Sequence, residues 1–191
     1  MVSTSFPTPT SALAIAAHPD DAEFGCGATL ARWSAAGCIV HHLVCTDGSK
    51  GTWNVDEDTE ALVARRQVEQ RAAAAAVGAT GEVRFLGEVD GELSATLDNR
   101  GRVARVIREL RPQVVLGHDP WTRWRLHPDL REAGLLTVEG VVAARDPHFF
   151  RDHGLSHHRA DSLLLFESEE PDLVIDVTDH AAAKAAALEA H

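Results

Sequence analysis

Short apolar runs alternate along this chain with segments of helical character, and that alternation restricts the fold more than any other feature. Residues 13–17, 38–45, 82–86, 113–117, 162–166 and 173–177 have the length and continuity of buried strands. Residues 27–36 follow the first, with Leu30 and Trp33 spaced to face inward and Gly37 as a C-terminal stop. Residues 60–77 are rich in Ala, Arg, Gln and Glu and end at Gly78. Residues 99–110 place Val103, Val106, Ile107 and Leu110 on one face, and Arg111-Pro112 ends them. His127-Pro128-Asp129 opens a helix to about residue 144, and residues 179–190 form a last one. Strands that alternate with helices pair in parallel through right-handed crossovers. The expectation is an α/β fold, a Rossmann-like three-layer sandwich with a mostly parallel sheet. One domain is expected over residues 1–191, with residues 1–11 as a flexible leader too polar to pack.

The first strand ends in Ala17-His18-Pro19-Asp20-Asp21, and an amphipathic segment follows at once. That puts an imidazole and two carboxylates at the C-terminal mouth of a buried strand, where open parallel sheets bind ligands. Adjacent Asp side chains beside a His repel one another in a confined turn unless a cation is present. The residues therefore read as a metal site, zinc by preference, serving a hydrolase. A surface turn in which Pro and Asp act only on the backbone is the competing reading, and the position over the sheet weakens it. A dinucleotide fingerprint is excluded: Gly25 and Gly27 are spaced G-x-G, but Leu30 occupies the third glycine position and two carboxylates would repel a pyrophosphate.

Net charge of −11 argues against binding to nucleic acid or to an anionic membrane surface. No apolar run approaches the ~20 residues of a bilayer span, and the start lacks a basic signal-peptide region. Cys26, Cys38 and Cys45 have no Cys-x-x-Cys spacing and read as small buried hydrophobes of a reducing cytoplasm.

Ala17-His18-Pro19-Asp20-Asp21-Ala22-Glu23 resembles the signature of the LmbE-like (PIG-L) zinc-dependent de-N-acetylases. Arg66-Gln67-Val68-Glu69 resembles the family's R-x-x-E helix, Phe85-Leu86-Gly87 with Asp90-Gly91 and Leu93 its third-strand turn, and His127-Pro128-Asp129 its second histidine motif. The resemblance implies one zinc ion per chain and hydrolytic removal of an N-acetyl group from an amino sugar or glycoconjugate. It assigns His18 and Asp21 as metal ligands. Asp20 becomes the general base that deprotonates the zinc-bound water and then returns the proton to the leaving amine. His127 stabilises the oxyanion and stands in as third ligand. It further implies a small N-acetylated sugar as partner, with no nucleic acid and no membrane insertion, and leaves room for a homo-oligomer. Family members are commonly longer, which implies a further strand or subunit-contacting tail.

The chain departs from the family's H-x-D-H pattern, because Leu130 stands where the third metal ligand is expected. Leucine coordinates nothing. Either His127 turns inward, or His118, His153 or His157 reaches the ion from its loop, or the member is degenerate. A degenerate member has weak or no catalysis and binds a small glycoside or a protein partner. Asp47, Arg66 and Asp90 are the candidate substrate contacts, beside Gly48, Ser49 and Lys50. Trp53, Trp121 and Trp124 flank these loops, as walls for a sugar ring or as plain hydrophobic lids.

Overall fold

The computed structural model describes residues 2–191. Its elements run β1 (Ser11–Ala16), α1 (Asp21–Ala35), β2 (Ile39–Thr46), α2 (Thr59–Ala76), β3 (Val83–Glu88), α3 (Leu97–Leu110), β4 (Val114–His118), α4 (Pro128–Arg145), β5 (Ser162–Phe166) and α5 (Ala181–Leu188). The five strands form one sheet in the order β3-β2-β1-β4-β5, with every neighbouring pair parallel. β1 leads outward to β2 and β3, and the chain then returns past β1 to β4. The mouth between β1 and β4 is thus the topological switch point, where a crevice opens over the strand ends.

β1 shows how the layers are specified. Ala12, Ala14 and Ala16 face one way, against Leu30 and Trp33 of α1, Ala73 of α2 and Ala187 of α5. Leu13 and Ile15 face the other, against Val103 and Ile107 of α3 and Leu136 of α4. The period of two sends alanines to one layer and branched residues to the other. Each fully buried Leu or Ile stabilises by roughly 1.5–3 kcal/mol. Helix α2 is capped by Asp58, whose Oδ1 accepts from the backbone of Glu60 and Ala61 at 3.1 Å. The three cysteines are buried without disulfides.

The structure corrects several boundaries. Helix α1 begins at Asp21 rather than residue 27, so it starts inside the charged turn itself. Gly25 there is no helix breaker: a Cβ at that position would lie 2.3 Å from the Phe166 ring of β5, which needs the space. Residues 173–177 are not a sixth strand. Leu173 makes an isolated bridge to Ser3, and no sheet strand pairs with the run. The leader is not too polar to pack, since Phe6 lies on Trp33 with ring centroids 5.8 Å apart. Among the described residues, no helix is long and apolar enough to cross a membrane.

Candidate active site

The turn after β1 carries the charged residues in a strained backbone. Asp20 has φ 98°, a region costing of order 1–3 kcal/mol for a residue with a Cβ. Its Oδ2 accepts from Arg66 Nη2 at 3.1 Å. The same guanidinium donates to the Pro19 carbonyl at 2.7 Å and to the Gly48 carbonyl at 3.1 Å. Gly48 and Gly51 make room for it, because a Cβ at either would sit 2.5 or 2.4 Å from Arg66 Nη1. Arg66 therefore ties the β1 turn to the β2 loop. Its expected substrate role is supplemented by this structural one.

His18 is held at both ring nitrogens. Nδ1 lies 3.1 Å from Asp21 Oδ2, while Nε2 lies 3.1 Å from Asp129 Oδ2 and 3.2 Å from Asp90 Oδ1. Asp21 Oδ2 also accepts from the His18 backbone at 2.7 Å. The His127 ring meets the His18 ring edge-on, with centroids 4.6 Å apart. One donor atom from each of His18, Asp90, His127 and Asp129 falls within 4.8 Å of the others. Asp21 stands outside that group, on the opposite edge of the imidazole. His127 is half-exposed, whereas Asp129 is fully buried and Asp90 nearly so.

These carboxyl groups are organised by backbone. Asp129 accepts from Gly91 N at 2.7 Å through Oδ2 and from Leu93 N at 3.3 Å through Oδ1. Asp90 Oδ2 accepts from Lys50 N at 3.1 Å. Lys50 Nζ donates to the Asp90 carbonyl and, at 3.1 Å, to Glu92. Asp47 Oδ1 accepts from Ser49 N at 2.9 Å and from Asp90 N at 3.0 Å, so this expected substrate contact is occupied in pinning two loops together. The sequence pattern gives Asp129 no role of its own at the site, although it lies within the His127-Pro128-Asp129 motif.

The electrostatics follow. Burial opposes charge on His18, but hydrogen bonds and attraction to Asp21 and Asp90 outweigh it and raise its pKa to about 10. Burial also opposes charge on Asp21, yet hydrogen bonds with His118 and His18 hold it below the usual carboxylate range. Asp20 goes the other way: burial and the Asp21 charge lift it to about 6, with Arg66 opposing. Two adjacent carboxyls thus differ in character, one held as an anion and one lifted toward neutrality.

His18, Asp20, Lys50, Arg66, Asp90 and His127 line a cavity of about 270 Å³. A larger cleft of about 510 Å³ runs along β5, but its lining, which includes Gly25, Leu163 and Phe166, holds no histidine. The imidazole–carboxylate cluster lies at the smaller one. Of the alternative histidines, His118 is buried with Nε2 3.5 Å from Asp21, and His153 stacks on Phe150. The His157 carbonyl accepts from Arg111, away from the cluster. Trp53, Trp121 and Trp124 are all largely exposed on the loops after β2 and β4.

The doubly wound α/β sheet thus carries imidazoles and carboxylates together at its switch point. The chain matches the GlcNAc-PI de-N-acetylase family over residues 13–140. It is 34% identical over 182 residues to the diacetylchitobiose deacetylase of Thermococcus kodakarensis, covering 94% of this chain and 68% of that one. The solved N,N'-diacetylchitobiose deacetylase of Pyrococcus horikoshii superposes with a TM-score of 0.91 at 29% identity, covering 96% of this chain and 70% of that one. The 4-carboxy-2-hydroxymuconate hydratase of Pseudomonas putida superposes with a TM-score of 0.82 at 28% identity, covering 95% of this chain and 78% of that one. The chain belongs to the PIG-L, or LmbE-like, family of de-N-acetylases and is an enzyme of that family.

Proposed function

We propose that this protein is a zinc-dependent hydrolase that removes an N-acetyl group from an amino sugar or glycoconjugate. The carrying observation is the convergence of His18, Asp90, His127 and Asp129 within 4.8 Å, beside a carboxyl poised near neutrality. Two imidazoles and hard carboxylate oxygens suit a zinc ion. When bound, such an ion polarises the amide carbonyl and acidifies the attacking water.

His18 belongs to either arrangement of ligands. The family resemblance would hold the ion with His18 and Asp21 on one edge of the imidazole, leaving His127, on the opposite edge, to the substrate and the place of Leu130 without a ligand. Proximity closes it at Nε2 with His127 and the carboxylates of Asp90 and Asp129. In each case the nitrogen left free is oriented by a carboxylate, as is usual for metal-bound histidines. Asp21→Asn and Asp90→Asn separate the two by isothermal titration with zinc, since losing a ligand costs more affinity than losing the carboxylate that orients the free nitrogen, and the variant with the larger loss marks the occupied edge. Leu130→His raises affinity only if the Asp21 edge is used.

The remaining chemistry falls to the chain's own groups. Asp20 takes the proton of the attacking water and hands it to the departing amine. Arg66 aims that carboxylate. Where it is not spent on the ion, His127, lining the cavity from the start of α4, donates to the oxygen on which charge develops. Asp90 has one oxygen facing the cavity group and is placed to meet a sugar hydroxyl if it is not spent on the ion. Asp47 acts on substrate only by holding the loop that carries Lys50.

The test is acetate release from N,N'-diacetylchitobiose and N-acetylglucosamine, before and after chelation. Release that stops on chelation and returns with zinc supports the proposal. The fold also serves a hydratase, so hydration of 4-carboxy-2-hydroxymuconate without acetate release would assign the reaction elsewhere. Sugar binding with neither activity nor zinc uptake would favour the degenerate reading that Leu130 motivates.

A further inference from the structure

We infer that Gln70 and Glu23 are positioning residues for Asp20: a buried amide–carboxyl pair that fixes the backbone from which the proposed base projects. This rests on the reading of Asp20 as the proton-transfer group. Asp20 is the N-cap of α1, where an aspartate ordinarily folds its carboxylate back onto the helix N–H groups. Here it makes no side-chain cap bond, and its backbone lies in the left-handed region at φ 98°, ψ −29°. The carboxylate is thereby turned out of the cap and into the cavity that holds His18 and His127. Such a conformation persists only where the surroundings enforce it.

The enforcing contact is Gln70 Oε1, which accepts from Asp20 N at 3.0 Å. Gln70 is fully buried, and its Nε2 donates to Glu23 Oε1 at 2.9 Å, a residue equally buried. A glutamine amide has an accepting end and a donating end. Turned over, it would set its NH₂ against the Asp20 N–H, donor facing donor. The acceptor oxygen of Glu23 selects the productive orientation. Among the described residues, the Glu23 carboxyl makes no other side-chain hydrogen bond. Its Oε2 has no partner, His42 Nε2 stands 3.6 Å from Oε1, and His191 Nε2 stands 3.7 Å from Oε2. Burying a carboxyl there is costly, which an apolar side chain would avoid. Arg66 lies one turn before Gln70 on the same face of α2. That face therefore grips one residue twice, Gln70 at the backbone and Arg66 at the carboxylate.

The experiment measures kcat and KM for acetate release from N,N'-diacetylchitobiose, with zinc affinity by calorimetry, in four variants beside the parent. Gln70→Leu is expected to lower kcat by roughly 10–100-fold, the usual scale for a lost supporting contact, with KM and zinc affinity unchanged. Gln70→Glu alone sets two carboxyls together and also lowers kcat. Adding Glu23→Gln exchanges the two groups, leaving an acceptor toward Asp20 N–H and a donor behind it, and kcat recovers. Asp20→Asn serves as the reference for the base itself. Unchanged kcat in Gln70→Leu, or no recovery in the exchanged pair, overturns the positioning role while leaving the base intact. Full activity in Asp20→Asn overturns the base, and the positioning role with it.

Discussion

Asp20→Asn lowers kcat for deacetylation by about 10²–10⁴-fold, the scale of a lost general base, while zinc affinity stays within the parent's range. The expectation follows from the division between neighbours. Asp21 is locked as an anion by His18 and His118, whereas Asp20 is lifted to about 6 by burial and by the Asp21 charge. A group near 6 can accept a proton at neutral pH and give it up again, which a carboxyl held as a firm anion does poorly. The pH dependence has a definite sign. As the proposed base, Asp20 works only when ionised, so kcat is expected to fall as pH drops through its pKa. A bound cation favours the anion, so the acid limb has its midpoint at or below about 6. Steady-state kinetics across pH 4–8 check this, and an acid limb that survives in Asp20→Asn would assign it to another group.

Asp129→Ala is expected to destabilise the protein by about 2–3 kcal/mol, because it strands one buried and one part-buried donor, a buried one costing roughly 1–3 kcal/mol. Those donors are the backbone N–H groups of Gly91 and Leu93, which this carboxylate receives from the loop after β3. The same oxygen that takes Gly91 N lies 3.1 Å from His18 Nε2. Truncation therefore releases the loop carrying Asp90 and frees one edge of the imidazole together. Urea unfolding measures the loss. A change below about 1 kcal/mol would mean that water replaces the carboxylate at little cost.

The parallel sheet was legible because each strand is an apolar run bounded by a helix of opposite periodicity. The place of the charged turn was legible for a related reason: charged residues directly after β1 have nowhere to go but the sheet's mouth. The apolar run at 173–177 misled because strand character is local, while its partner, Ser3, is remote. Phe6 was lost among Ser, Thr and Pro, although Trp33 provides it a surface. Asp129 looked like an ordinary first-turn acid at a helix start. Its value comes from two amides almost forty residues back in sequence, which no local pattern encodes. Gln70 was equally silent, a polar residue in an Ala-rich helix that becomes significant only when α1 brings Glu23 against it.

Zinc titration of metal-free protein, read by calorimetry beside His18→Ala, is the most direct measurement of the proposed centre. One equivalent bound per chain, displacing a proton from His18, whose pKa the neighbouring carboxylates raise, and so tightening as pH rises from about 6 to about 8, is the expected result, with binding lost in the variant. Failure of the parent to take up zinc, or equal uptake by His18→Ala, would contradict a metal centre at the mouth of β1.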